Sequence, residues 1–316
     1  KYNMQIEIWD PHFHLWDVSE DTVSGHDSNQ LFAPNENPVY TRDLYEKDIL
    51  SAGTNYKHSG GVLVEAVSVC HLGVVGDKFT SECLAETNWA SKQLRNSSNS
   101  YVIVSSASLE DSNAGKSLAK LSENPLVKGI RQIINYEPSW PRNSELGDLL
   151  CNPRWREGYA ELNNHSLSYD FQLNPHQFKD AVHLVEKHPE TPVIIDHLGS
   201  PTLHDLIDNK DIYWDGMKAF SNQEKAFIKI SMLSYIDSNW DHSSLVKETV
   251  LRIIDLFGID RCFFASNFPV ENHFGWNAER LYKSFLNIIE SQYSLNDQQK
   301  LFADNAKIAY RYMNTN

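Results

Sequence analysis

The 316-residue sequence holds only four cysteines, Cys70, Cys83, Cys151 and Cys262, far apart and without C-x-x-C spacing. That scarcity argues against a disulfide framework, and reduced thiols in an intracellular, cytoplasmic protein are expected. No stretch approaches the roughly 18 consecutive apolar residues of a membrane span. Basic residues are outnumbered, 28 Lys and Arg against 42 Asp and Glu, a formal net charge of −14. Nucleic-acid and anionic-membrane surfaces call for clustered Lys and Arg, so neither is expected as a partner. A small anionic substrate stays open, because one buried Arg can dominate a local site. No G-x-G-x-x-G or Walker pattern, low-complexity tract or obvious linker is present,. The chain begins at Lys1 and not Met, which is compatible with a removed leader or tag. Asn96-Ser97-Ser98 and Asn164-His165-Ser166 match the glycosylation sequon, a pattern common by chance,.

Short apolar runs alternate with helical patterns throughout. The runs are Ile6–Trp9, Gly61–Cys70, Tyr101–Ser106, Val127–Ile134, Leu167–Leu173, Pro192–Leu198, Ala226–Leu233 and Arg261–Ala265. Several are almost wholly apolar, as strands buried on both faces of a parallel sheet must be. Between them lie helix signals. Asn152-Pro153 and Asn174-Pro175 supply a cap and a first-turn proline, Ser244 and Gly258 bracket one apolar stripe, and Ser294 opens a capping box. Eight strand–helix alternations in one chain of this length predict a single α/β domain over residues 1–316, a distorted (β/α)8 TIM barrel with long βα loops. A doubly wound open sheet is the alternative, and the missing glycine-rich phosphate loop counts against it.

In such a barrel the chemistry sits where the strands end. His12 and His14, two apart on a strand, project to one side together with Asp10. Strand two carries Glu65 within Val64-Glu65-Ala66, and strand four ends in Gly129-Ile130-Arg131. Asp170 and Gln172 share a side of strand five, Asp196-His197 ends strand six, and Ser266-Asn267-Phe268-Pro269 ends strand eight. One polar strand end would mark only a solvated terminus; six at one rim suggest a site. His273 and Trp276 follow strand eight, within reach of the same mouth.

His12-Phe13-His14, Gly129-Ile130-Arg131, Tyr169-Asp170-Phe171, Asp196-His197-Leu198-Gly199 with Pro201, Phe264 to Val270 and Asp304-Asn305-Ala306 with Tyr310 occur in this order over nearly the whole chain. The set resembles the amidohydrolase superfamily, in particular the amidohydrolase-related group of sugar-acid and pyrone-dicarboxylate lactonases. The resemblance implies a TIM barrel that hydrolyses a lactone. His12, His14 and His197 match histidines that surround a divalent ion, usually zinc, in some relatives and orient substrate without metal in others.

The sequence also departs from that pattern. Asn267 stands where the superfamily usually has an Asp, and an amide cannot act as base. The strand-five histidine of binuclear relatives is replaced by Asp170 and Gln172, and no lysine lies on strand four or five to bridge two metals. One zinc held by His12, His14 and His197 remains reasonable, since three histidines and a water form a known catalytic arrangement; a metal-independent mechanism is equally open.

The leading expectation is therefore a lactonase, with His12, His14, His197, Asp170 and Asn267 as catalytic candidates. Arg131, Glu65, Gln172, His273 and Trp276 are the substrate-binding candidates. The alternatives are a metal-dependent decarboxylase of a small carboxylated substrate and a non-catalytic barrel that binds a small acid. Loops over Val18–Tyr40, Asn135–Leu150 and Glu271–Asn277 are expected to cover the mouth, with Arg142 and Arg154 as further carboxylate partners should they point inward.

Overall fold

The computed structural model describes residues 4–19, 37–71, 74–139 and 146–312. The eight barrel strands are β1 Ile6–Phe13, β2 Tyr56–Val64, β3 Ser100–Ser105, β4 Val127–Ile130, β5 Ser168–Phe171, β6 Val193–Ile195, β7 Ala226–Ile230 and β8 Cys262–Phe264. All pair in parallel in sequence order. The ring closes between β8 and β1 through a bridge from Phe13 to Phe268 and hydrogen bonds from Asn267 N to His12 O and His14 N to Phe268 O, both 2.8 Å. Helices α1 Arg42–Leu50, α2 Gly76–Leu94, α3 Ala114–Ser122, α4 Pro153–Ala160, α5 Phe178–Lys187, α6 Lys210–Ser221, α7 Ser244–Phe257 and α8 Ala278–Ile289 follow the strands in turn. This is the expected (β/α)8 barrel.

The alternation of each strand divides the core in two. Outward residues such as Ile8, Ile103, Tyr169, Phe171, Ile195, Ile228 and Phe264 meet the helices. Inward residues Trp9, Val62, Val64, Val102, Val104, Ile194 and Phe263 fill the barrel's lower half against Ala303, Ala306, Ala309 and Tyr310 of the C-terminal helical run. The floor is thus a plug of side chains, and only the upper ends of the strands are free to carry polar groups. Gly61 lets β2 lie hard against β1, since a Cβ there would stand 1.9 Å from the Asp10 carbonyl oxygen.

Several boundaries differ from the sequence expectation. β2 starts at Tyr56, and the second half of its apolar run, Val67–Cys70, forms a helical turn. Apolar content alone does not separate a buried strand from a buried helix. β4 stops at Ile130, and β6 stops at Ile195 because His197 and Leu198 take left-handed backbone angles (φ 57° and 54°). Ser243, one residue before the expected Ser244, caps α7 through its hydroxyl to Val246 N (3.2 Å), and Gly258 ends the helix at φ 82°. Asn152 and Ser294 cap their helices as expected. Cys70, Cys83, Cys151 and Cys262 are all free. No helix of the described residues is long and apolar enough to cross a membrane.

Candidate active site at the barrel mouth

His12 and His14 leave the top of β1 on the same side, their Nε2 atoms 3.2 Å apart. His197, after β6, brings its ring centroid within 4.6 Å of that of His12. All three are buried. Burial and the nearby Lys229 and Arg131 charges hold His12 and His197 well below the ordinary imidazole range and His14 at about 3. The three rings are therefore neutral at pH 7, and their partners fix the tautomers of two. His14 Nδ1 faces the Val64 carbonyl oxygen at 2.9 Å, which only accepts, so Nδ1 carries the proton and Nε2 is bare,. His12 Nε2 must then donate to His14 Nε2, leaving His12 Nδ1 to accept from Lys229 Nζ at 2.9 Å.

Lys229 was not among the residues singled out from the sequence. It points inward from β7, at zero exposure, and joins His12 to Asp170 (2.7 Å) and Asp196 (3.2 Å). The sequence signal was one charged residue at an inward position of Ala226-Phe227-Ile228-Lys229-Ile230, since a buried strand tolerates a lysine only with anionic partners. Asp170 also accepts the Tyr310 hydroxyl on both oxygens at 2.9 Å. The acid expected to activate water is thus fully engaged inside the barrel.

Asp196 is different. Both its oxygens are buried and lack a hydrogen-bond partner among the described residues, with Lys229, Arg131 and His12 standing 3.2, 3.7 and 3.9 Å away. Burial, then the charge of Asp170, raises it well above the ordinary carboxylate range. A ligand atom each from His12, Asp196 and His197 lie within 4.8 Å of one another. The Asp196 oxygens, ion-paired but accepting no hydrogen bond among the described residues, fit a cation, and the His12–His14 nitrogen spacing is close to the roughly 3.3 Å edge of a tetrahedral zinc site,. His14 rests its Nδ1 on a carbonyl and His197 on the Ser231 hydroxyl (2.7 Å), each leaving Nε2 for an ion,. The donors thus suit a divalent ion, with Asp196 added to the three expected histidines.

Arg131, at the end of β4, gives Nε to Glu65 Oε1 (3.1 Å), Nη2 to the Glu65 carbonyl (2.9 Å) and Nη1 to Gln172 Oε1 (2.8 Å). Glu65 is in turn held by the Ser68 hydroxyl (2.6 Å) and amide (3.0 Å). A guanidinium has five N–H donors, so two are unspent. Glu65 and Gln172 sit behind Arg131 and aim it. Asp10, expected to share the histidines' side, instead clasps the seam. It accepts from Ser266 N (2.9 Å), Ser266 Oγ (2.5 Å) and the Tyr45 hydroxyl (2.7 Å).

Asn267 takes a left-handed conformation (φ 55°) that asparagine tolerates better than most residues, and its amide lies against His14 and Glu271,. His273 is exposed, lining a shallow hollow of about 260 Å³ with Trp16, Tyr40 and Pro269. The Trp276 ring is wholly buried, stacked 4.6 Å from Trp240 with the Arg280 guanidinium over it at 3.6 Å, so the structure does not bring it to the histidines. Arg154 is exposed on α4, while Arg142 and Trp140 lie outside the described residues, as does most of the loop after β1. Left-handed backbone at His197, Leu198, Ser200, Met232 and Asn267 gathers at this one rim. Strain of that kind persists only where the surroundings enforce it, and it clusters at functional sites.

Known proteins share this fold. Residues 9–312 match the amidohydrolase family. The protein y4mH of Sinorhizobium fredii, itself uncharacterized, is 29% identical over 308 residues, covering 97% of this chain and 99% of its own. An amidohydrolase of Burkholderia multivorans solved with bound zinc superposes with a TM-score of 0.73 at 16% identity, over 96% of this chain and 99% of that one. A putative 2-pyrone-4,6-dicarboxylic acid hydrolase of Pseudomonas putida gives 0.69 at 16% identity, over 99% and 100%. With a match that runs almost from end to end, on a barrel whose polar groups converge at one mouth, this chain belongs to the amidohydrolase family.

Proposed function

We propose that the protein is a hydrolase that opens a lactone of a small sugar acid or a carboxylated ring. The observation that carries this reading is the convergence of the neutral, buried His12 and His197 on Asp196, with His14 against His12, beside an Arg131 with two unspent donors. A neutral, desolvated imidazole can polarise a carbonyl by hydrogen bonding without a charged group's solvation cost. The planar guanidinium suits a substrate carboxylate or the oxygen that gains charge as water adds to the ring carbonyl.

Asp196, His12 and His197, with His14 beside them, are the residues that would hold a divalent ion, zinc being the natural choice for nitrogen and carboxylate donors. Such an ion would act as a Lewis acid toward a carbonyl oxygen. The chain's own residues do the remainder. Lys229 and the Val64 carbonyl fix which nitrogens of His12 and His14 carry protons, Glu65 and Gln172 aim Arg131, and Asn267 orients water or substrate without taking a proton. The zinc bound by the Burkholderia amidohydrolase supports the metal reading, and the name of the Pseudomonas hydrolase supports the lactone.

The test is proton release on adding aldonic-acid lactones and 2-pyrone-4,6-dicarboxylate, before and after chelation, for the native protein and for His12→Ala and His197→Ala. Lactone opening that falls at least a hundredfold in both variants is expected. Unchanged hydrolysis in the variants would refute the assignment. Carbon dioxide release from a carboxylated substrate would make the protein a decarboxylase, and tight binding of an acid without turnover would make it a binding barrel.

A further inference from the structure

Opening a lactone requires a group that takes a proton from water, and most acids at this mouth are committed. Asp170 is held by Lys229 and Tyr310, Asp10 by Ser266 and Tyr45, and Glu65 by Arg131 and Ser68. Asp196 stands between two cations. Asn267 has no proton-accepting carboxylate at all.

Glu271 is tied to no charged group among the described residues, only to neutral donors. It lies in the helical turn Val270–His273 that follows β8, at 1% exposure. One oxygen, Oε1, accepts the Ser234 hydroxyl from the loop after β7 at 2.7 Å. The other, Oε2, is buried with no hydrogen-bond partner among the described residues. The turn is strapped to the catalytic strand. Glu271 N donates to Asn267 O (3.2 Å), Asn267 N to His12 O, and His14 N to Phe268 O. The Asn267 side chain lies against both His14 and Glu271, so the free carboxylate oxygen is one side chain removed from the histidine cluster.

We propose that Glu271 is the general base of the reaction, supplying from the helical turn the carboxylate that Asn267 does not provide at the end of β8. The proposal rests on the lactonase reading. In the step, Oε2 takes a proton from water as the water oxygen bonds to the ring carbonyl carbon and the C=O electron pair moves onto the carbonyl oxygen. As that pair returns, the ring C–O bond breaks, its electrons pass to the ring oxygen, and the Glu271 carboxyl gives its proton back to that oxygen. Lactone and water become the hydroxy acid, with Glu271 regenerated.

The environment tunes the group for this work. Burial pushes Glu271 up to about 7, against smaller lowering contributions from Ser234 and Asn267. The faces packed on it present that serine from the β7 loop and that asparagine from the β8 loop, neither of which titrates near neutrality, and no charged side chain contributes. A base is most effective when it titrates near the working pH.

The experiment is kcat and KM from pH 5 to 9 on a lactone the native protein opens, for Glu271→Gln, Glu271→Asp and Ser234→Ala. The native kcat should rise with pH through about 7 and level off. Glu271→Gln should lower kcat by about 10²–10⁴-fold, leave KM within threefold and abolish that limb, and Glu271→Asp should recover part of the rate. Ser234→Ala should move the midpoint upward, because the serine favours the ionised form. A Glu271→Gln protein that keeps both rate and limb overturns the proposal and leaves the lactonase reading intact. Should that variant fail to fold, a Ser234→Ala midpoint equal to the native one overturns it instead. Native protein that opens neither lactone class overturns the lactonase reading, and this proposal with it.

Discussion

Replacing Lys229 with Met keeps the volume of the side chain and removes its charge from the middle of the barrel. The ammonium has three close partners, Asp170 at 2.7 Å, His12 at 2.9 Å and Asp196 at 3.2 Å, all at zero exposure. Asp170 would keep the Tyr310 hydroxyl, but Asp196 would have only Arg131 at 3.7 Å as a facing cation. Asp196, already raised by burial and by the charge of Asp170, would then share the site with Asp170 without the cation between them. Removing one member of a buried ion pair costs about 3–5 kcal/mol, because the partner left behind is both desolvated and unpaired. With an unfolding entropy near 2.1 cal/mol/K per residue, a chain of 316 residues should lose about 5–8 °C in Tm. Urea unfolding followed by circular dichroism measures the loss, and Lys229→Met combined with Asp170→Asn should recover part of it by removing a stranded charge. A single variant within 1 kcal/mol of the native protein would refute the account of Lys229 as the cation that balances the barrel interior.

Glu271→Gln should change stability with pH in a defined sense. A carboxyl raised from 4.5 to about 7 in the fold stabilises it below pH 4.5 and loses that contribution as pH rises through 7. The native protein should therefore fall by about 2–3 kcal/mol relative to the variant between pH 5 and pH 8 in urea titrations, and parallel curves would refute the shift. Arg131→Lys cannot reproduce the three-way fork to Glu65 and Gln172,. KM for a carboxylated lactone should rise at least tenfold, and an unchanged KM would remove Arg131 from substrate binding. Zinc affinity, measured by competition with a chelator, should rise at least tenfold in Lys229→Met; equal or weaker binding would separate Lys229 from the metal site.

The sequence revealed the fold almost completely, because a barrel is written in repeated local signals: eight apolar runs alternating with helical stretches, some of them opened by a recognisable cap. The histidines were legible for a related reason, since alternation along β1 places His12 and His14 together and a polar residue at a strand end has few other duties. What escaped notice were partnerships between distant strands. Lys229, Asp170 and Tyr310 are 59 and 140 residues apart in the pairs they form, and no local pattern announces them. Asp196 was visible as a strand end, but its unpartnered oxygens emerge only once β6 stands beside β1, β4 and β7. Glu271 looked like an ordinary loop acid, and its distinction is burial, which no short window of sequence records. Trp276 illustrates the opposite error. An aromatic in a loop after β8 suggested a lid, yet the ring is wholly buried and stacked on Trp240,.

The hydrogen-bond directions at the mouth carry an argument about how charge is supplied there. His14 points Nδ1 at a carbonyl and His197 at the Ser231 hydroxyl, placements that leave both Nε2 atoms free, as in a metal-ligating histidine,. His12 does the reverse: its Nδ1 accepts from a lysine, which places its proton on Nε2 and aims it at His14. An ion on His12 Nε2 would need that proton gone and Nδ1 protonated, facing an ammonium 2.9 Å away. Lys229 and a cation therefore compete for the same imidazole, and both are attracted by Asp196. Without the ion, the two cations Lys229 and Arg131 face the three carboxyl groups of Asp170, Asp196 and Glu65, and His12 is a donor. With it, Lys229 would turn wholly to Asp170. Lys229 is thus the residue that sets the cost of filling the site, and the same lysine that stabilises the empty barrel weakens its hold on a metal.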